Sequence, residues 1–372
     1  SMLQSEWCGI ERMPTNMLIP RLLTIVLISC LTTSIQGADV EYINNGRGPV
    51  PLYLPADYDG STSLPLIVAL HGYTDNGSGV ESYFNLSNQV DSKQFLYCNP
   101  DGTTDFGGSP FWNATDACCD FFNTNVGDSD YLRELVELIQ AQYAVDELSI
   151  HFTGISNGGF MSYRMACEHS DLIASIAPLA GVTYLDTSDC TPSDPVHVLH
   201  MHGTADSTVE YDGGCFLSCY PGAEESISNW LGYNGCDVVS EDGGPAFNLD
   251  WAVSGNETTS TIYQQNCDDG VTVELWKMAG SEHVPNFRRN SDLLVDNLFA
   301  TQTVDWMLAH RKPGDITCPS DVNGDGIVNT NDLLNLIAVW GSKDPNADVD
   351  DDGVVNVNDL LILIKDFGQE CE

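Results

Sequence analysis

The chain is 372 residues long and 42% apolar, enough for one large hydrophobic core and a second, smaller module. Its formal charge of −41, from 54 Asp/Glu against 13 Lys/Arg, argues against nucleic acid and anionic membranes as partners, because both would repel so acidic a surface. Thirteen cysteines are many for a reducing compartment and suit an exported chain. The first element in chain order is a leader. Arg21 precedes an apolar run over 22–31 that is too short to cross a bilayer, so no transmembrane span is expected, and that has the size of a signal-peptide core. Cleavage after Gly37 would make 1–37 a leader and the mature protein secreted. Leu27-Ile28-Ser29-Cys30 also reads as a lipobox, which would leave a lipid anchor on Cys30. Simple secretion is the preferred of the two readings.

The next strong element is the apolar strand 66–70, which runs into the turn His71-Gly72-Tyr73-Thr74-Asp75-Asn76-Gly77. A second apolar run, 148–153, leads directly into Gly154-Ile155-Ser156-Asn157-Gly158, and a helical stretch follows over 159–167. Strand, Gly-x-Ser-x-Gly, helix is the nucleophile elbow of α/β-hydrolases, a turn so tight that a side chain at either flanking position would clash. The partners of such a serine follow in the order that fold requires. Strand-like 196–202 ends in Gly203-Thr204-Ala205-Asp206, and alternating 271–278 ends in Ala279-Gly280-Ser281-Glu282-His283. Ser156, Asp206 and His283 are therefore expected to form a Ser–Asp–His triad, each at the end of a strand. The oxyanion donors are expected to be the backbone N–H groups of Asn157 and Tyr73, the latter preferred over Thr74. Among the other histidines, His200 and His202 share one strand face but lack the further ligands a zinc site needs, so packing in the core or beside the triad is favoured. His71 is read as a brace for its turn and His310 as a surface residue.

The set Leu70-His71-Gly72, Asn99-Pro100-Asp101-Gly102, Trp112-Asn113 with Cys118-Cys119, Gly154 to Gly159, and His202 to Asp206 resembles the secreted polyhydroxybutyrate-depolymerase-like and feruloyl-esterase group, which overlaps carbohydrate esterase family 1. The resemblance spans about 38–311. It implies a serine esterase with an α/β-hydrolase fold, a mostly parallel sheet flanked by helices, and no cofactor for catalysis. It places Trp112 and Asn113 near the cleft as substrate-binding residues, and it suggests that Cys118 or Cys119 is bridged to Cys167. Two departures bear on the substrate. Val284 follows His283 where the family often has tryptophan, and Tyr73 stands where many polyester depolymerases carry cysteine.

A terminal helix carrying Trp306 and Leu308 ends at a short linker, 312–317, and a second module fills 318–372. Asp321, Asn323, Asp325, the Ile327 carbonyl, Asn329 and Asp332 fall at the ligand positions of a twelve-residue calcium loop, with Gly326 at the sharp turn. Asp348, Asp350, Asp352, the Val354 carbonyl, Asn356 and Asp359 repeat the pattern 27 residues later. Helices are expected over 333–340 and 360–367. Two loop–helix units without entering helices resemble a dockerin, a small all-α module that binds two Ca2+ and docks into cohesin-type proteins. So many carboxylates crowded together make metal binding part of the folding free energy. Cys318 with Cys371, Cys215 with Cys219, and Cys236 with Cys267 are reasonable pairs. Without Cys8 and Cys30 an odd number remains, so at least one thiol stays free or pairs outside the chain.

The expectation is a secreted serine esterase acting on feruloyl or acetyl esters of plant or algal polysaccharide. An aliphatic polyester depolymerase and a non-catalytic binding or scaffold protein are the alternatives.

Overall fold

A computed structural model describes residues 38–216, 218–288, 298–312, 318–344, 346–350, 353–369 and 371. The expected leader, with its cleavage and lipobox readings at Gly37 and Cys30, lies outside these residues. So do 313–317 of the linker and Asp352 of the second calcium loop.

Ten strands form one sheet: β1 (Asp39–Ile43), β2 (Val50–Leu54), β3 (Leu64–Leu70), β4 (Leu96–Cys98), β5 (Val145–Ile155), β6 (Ser175–Leu179), β7 (His197–Gly203), β8 (Glu241–Asp242), β9 (Thr258–Tyr263) and β10 (Val273–Met278). Their spatial order is β1-β2-β4-β3-β5-β6-β7-β10-β9-β8. The six middle strands from β4 to β10 are parallel, and both margins are antiparallel. This is the α/β-hydrolase arrangement. Strands buried on both faces need near-continuous apolar runs, and β6 and β7 are buried at every position.

The period of two along β3 assigns its residues to opposite faces. Leu66, Val68 and Leu70 pack with Tyr131 and Leu135 of α2 (Asp128–Gln140), Phe160 of α3 (Asn157–Glu168) and Trp230 of α4 (Ala223–Tyr233). Ile67 and Ala69 face the other way, toward Val80 and Phe84 of α1 (Gly77–Phe84) and Phe299 and Val304 of α5 (Leu298–Ala309). Leu132, Leu135, Val136 and Ile139 give α2 an apolar stripe at helical spacing, all fully buried. Each such side chain contributes about 1.5–3 kcal/mol on burial. The sheet is thereby held between two layers of helices, and the loops at the carboxyl ends of its parallel strands lie where open α/β sheets bind ligands.

The C-terminal module has helices α6 (Thr330–Ala338) and α7 (Val357–Lys365) around a small core containing Val328, Leu336, Val355 and Leu363. Both helices start three residues before the expected positions. The reason is local: Asn329 and Asn356 are N-caps whose side chains accept from Asn331 and Asn358 N–H, while Asp332 and Asp359 bond back to the cap N–H in a capping box. The loop's last ligand positions therefore sit inside the first helical turn.

Disulfides join Cys215–Cys219, Cys236–Cys267 and Cys318–Cys371, as expected. The expected bridge from Cys118 or Cys119 to Cys167 does not form. Cys118 is joined to Cys119, and Cys167 to Cys190. Geometry explains the correction. Cys118 lies against Asn157 at the start of α3, whereas Cys167 is ten residues further along that helix, about 15 Å away at 1.5 Å per residue. A disulfide spans less than half of that. Among the described residues Cys98 is the free cysteine; it is buried, and burial pushes its thiol pKa up.

Candidate active site

Ser156 stands directly after β5, with φ +56° and ψ −120°. That backbone conformation is strained for a residue with a side chain and is typical of functional turns. The flanking glycines make it possible. A Cβ on Gly158 would lie 2.1 Å from the Leu70 carbonyl oxygen, and one on Gly154 would lie 2.5 Å from the Gly158 backbone. Strand, serine and helix can pack this closely only with hydrogen at both positions.

Asp206 follows β7 and His283 follows β10, the next strand in the sheet. The three side chains meet. His283 Nε2 lies 2.9 Å from Ser156 Oγ, and His283 Nδ1 lies 2.7 Å from Asp206 Oδ2. The Asp206 carboxylate is fully buried, and its Oδ1 accepts the N–H groups of Thr208 and Val209 at 2.8 and 2.9 Å. Burial works to raise its pKa, but hydrogen bonds from His202 and His283, and the charge on His283, outweigh that effect. They hold the carboxyl well below the usual carboxylate range. An ionised, acceptor-only carboxylate requires Nδ1 of His283 to carry hydrogen, which leaves Nε2 free to accept the serine proton.

The turn after β3 lies over the elbow: a Cβ on Gly72 would be 3.6 Å from Ser156 Cβ. Thr74 N–H donates to the Pro110 carbonyl at 2.8 Å, whereas Tyr73 N–H has no hydrogen-bond acceptor among the described residues. Asn157 supplies the first N–H of α3, which has no intrahelical acceptor. Its side chain clasps the backbone of Trp112, accepting from Trp112 N–H at 2.7 Å and donating to the Trp112 carbonyl at 2.8 Å. This clasp was not anticipated from sequence.

Trp112 requires a correction. The resemblance places it near the cleft, but its side chain is 0% exposed, packed against His71 with ring centroids 5.1 Å apart. It serves the core beneath the turn. Asn113 is half-buried, with its N–H donated to Asp128 and its amide to the Val126 carbonyl. Asn113 lines a polar cavity of about 480 Å³ together with Asp116, Asp120, Phe121, Arg164 and Tyr184. Ser156 does not line this cavity, so the cavity and the triad are neighbours rather than one site. The link is Phe121, whose ring meets the Tyr73 ring edge-on at 5.3 Å.

His71 braces its turn as expected, with Nδ1 at the Gly72 carbonyl and Nε2 accepting Gly102 N–H. His200 and His202 are both fully buried behind Asp206. His310 is not a surface residue; its ring stacks on Trp306 at 4.0 Å.

In the C-terminal module, Asp321, Asp325 and Asp332 bring one carboxylate oxygen each within 4.8 Å of one another, and Asp348, Asp350 and Asp359 do the same. Either group could hold a metal ion. Burial, then the charges of Asp332 and Asp325, raise the Asp321 pKa despite the N–H groups of Gly326 and Asp325 that it accepts. Asn323 packs its N–H on Asp332 and its side chain on Asp325. The Ile327 and Val354 carbonyls face the side chains of Asn329 and Asn356 at 2.8 Å each. Gly326 and Gly353, with φ of +83° and +89°, make the sharp turns.

Residues 43–211 match a family model described as a putative esterase, and residues 319–368 match the dockerin type I domain. Feruloyl esterase B of Piromyces equi is 27% identical over 62% of this chain and 41% of its own length. The chain thus spans less than half of that relative. A probable feruloyl esterase C of Aspergillus niger is 28% identical over 58% of this chain and 77% of its own. Among solved structures, an acetyl xylan esterase from Aspergillus awamori aligns with a TM-score of 0.47 and 16% identity, over 72% of this chain and 98% of that one.

Proposed function

Starting from an esterase-family α/β-hydrolase domain joined to a dockerin type I domain, we propose that the chain is a secreted serine esterase that removes feruloyl or acetyl groups from polysaccharide. The observation that carries this reading is the unbroken line from Ser156 Oγ through His283 to Asp206. Ser156 Oγ attacks the ester carbonyl as His283 Nε2 takes its proton. The carbonyl oxygen, now anionic, is held by the N–H groups of Tyr73 and Asn157, each worth about 10²–10³ in rate in comparable sites. Collapse breaks the bond to the alcohol oxygen, which leaves with the proton from His283, and an acyl-Ser156 ester remains. Water, losing a proton to His283, repeats the attack and releases the acid. Asp206 stays ionised throughout and stabilises the imidazolium.

The polar cavity beside the triad suits the hydroxyl-rich alcohol side of the substrate, with Asn113 on its wall and Phe121 connecting it to the oxyanion turn. In the tail, the carboxylate groups fit Ca2+, a hard cation that takes oxygen ligands. Asp321, Asn323, Asp325, Ile327, Asn329 and Asp332 would hold one ion. Asp348, Asp350, Val354, Asn356 and Asp359, with Asp352, would hold another. The bound ions would neutralise the carboxylates and let the module fold to meet a cohesin-type partner. The five disulfides fit an oxidising, extracellular setting.

Methyl ferulate, acetylated xylan and polyhydroxybutyrate, tested in parallel with the wild type and Ser156→Ala, provide the test. Turnover of either of the first two, lost by at least ~10³-fold in Ser156→Ala, is the expected result. Turnover confined to polyhydroxybutyrate would assign the polyester alternative. Activity retained in Ser156→Ala would remove the triad assignment, and no turnover of any ester would leave a binding protein.

A further inference from the structure

Behind the triad lies a line of polar groups that the mechanism above does not use. Tyr163 Oη is 2.8 Å from His200 Nδ1, His200 Nε2 is 3.2 Å from His202 Nδ1, and His202 Nε2 is 2.8 Å from the Val209 carbonyl and 3.4 Å from Asp206 Oδ2. All three side chains are fully buried. Their hydrogen positions follow from one fixed point. A carbonyl oxygen only accepts, so His202 Nε2 carries hydrogen. In a neutral ring its Nδ1 is then bare and must be met by the N–H of His200 Nε2. That leaves His200 Nδ1 bare, and the Tyr163 hydroxyl donates to it. Burial disfavours the charged forms of His200 and Tyr163, consistent with two neutral groups.

We propose that Tyr163, His200 and His202 are positioning residues that fix the Asp206 carboxylate and limit its basicity. The inference rests on the triad reading given above. Tyr163 lies on α3, the helix that opens at the elbow, and His202 lies on β7, which feeds the Asp206 loop. The line therefore ties the nucleophile's helix to the acid's loop. It also presents His202 N–H beside Oδ2, the same oxygen that holds His283. Removing that N–H makes Asp206 a stronger acceptor and binds the imidazolium of His283 more tightly, so His283 gives up its proton at higher pH. The titratable and charged groups facing His202 are His200, Asp206, Tyr211 with its ring at 5.6 Å, and Lys277 in register on β10. None of the others is altered in the test.

His202→Leu deletes the donor, His202→Gln keeps an N–H, and Tyr163→Phe removes only the first hydroxyl. In pH profiles of kcat/KM on a p-nitrophenyl ester, the acid limb of His202→Leu should move to higher pH. Its kcat should fall about tenfold with KM little changed. His202→Gln should return the limb toward wild type, and Tyr163→Phe should move it in the same direction as His202→Leu by less. Active sites are counted with a fluorophosphonate that phosphonylates serine, so a misfolded fraction is separated from a slower site. An acid limb unmoved in both His202→Leu and Tyr163→Phe overturns the proposal, whatever happens to kcat. If His202→Leu does not fold, Tyr163→Phe decides alone. Failure of the triad reading shows elsewhere, as activity surviving in Ser156→Ala.

Discussion

Two carboxylates, buried Asp206 behind the elbow and half-buried Asp321 in the tail, meet opposite fates. Asp206 accepts two backbone N–H groups and a histidine N–H, and the chain holds its pKa down. Asp321 also accepts backbone N–H groups, from Asp325 and Gly326, yet partial burial and then the charges of neighbouring carboxylates push its pKa up. One anion is compensated by the fold, and the other is not. A site of the first kind has its compensating donors within the chain. A site of the second kind gathers carboxylates that could hold a metal ion, in a module too small to rely on its own core.

The comparison breaks most severely at Asp206. Asp206→Asn keeps the shape but replaces an acceptor-only group with one that also donates, which favours the wrong tautomer of His283. Steady-state kinetics should show kcat down by about 10⁴-fold with the protein still folded, as for the same change in other serine hydrolases. A loss below tenfold would mean that Asp206 does not orient His283.

Calcium removal tests the other half. With EDTA the unfolding transition of the tail should drop in temperature or vanish, and it should climb again with added Ca2+ as mass action requires. Hydrolysis of a soluble ester should change by less than twofold. Activity falling in step with the tail's transition would contradict the division between the two sites.

A smaller effect concerns acid. Burial, followed by the charge of His310, pushes the pKa of His151 and of His197 down to about 3. An unfolded histidine titrates near 6.5. Between these values the unfolded chain binds protons that the native chain does not, so native stability is full above about pH 6.5 and falls as pH drops toward 3. Asp206, whose pKa is depressed, adds a further loss below about pH 4, where the unfolded carboxyl begins to take up a proton. Urea unfolding of the hydrolase domain at pH 7, 5 and 4 should therefore give a free energy that declines by a few kcal/mol overall. A flat or rising profile would show that these groups are not held as described.

The parts of this account that were legible in sequence are those with local signatures. Gly154 and Gly158 bracket the serine because the close approach of Leu70 and α3 leaves no room for Cβ, and that constraint is written at fixed spacing. Asp206 and His283 each follow an apolar run whose period announced a strand. The acidic positions of the two twelve-residue loops repeat 27 residues apart for an equally local reason. What escaped depends on three-dimensional neighbours. An aromatic side chain beside a loop motif reads the same whether it faces a cleft or His71, and Trp112 faces His71. The partner of Cys167 is set by the length of α3 and the path of the loop after β6, neither of which cysteine spacing records. Asn329 and Asn356 occupy metal-ligand positions of the loop pattern, and their use as N-caps starts both helices three residues earlier than the pattern predicts. The line from Tyr163 to His202 crosses two elements, so no single stretch of sequence contains it.

The central claim is that Ser156 is acylated during turnover by a site that needs nothing beyond the chain. Rapid mixing with p-nitrophenyl acetate, acid quenching and peptide mass analysis address it directly. The account predicts an early burst of about one p-nitrophenolate per active site and an acetyl mass on the peptide containing Ser156, with or without EDTA. Product formation with no acyl peptide accumulating in a burst, an acyl group on another residue, or a burst that disappears with chelation would contradict it.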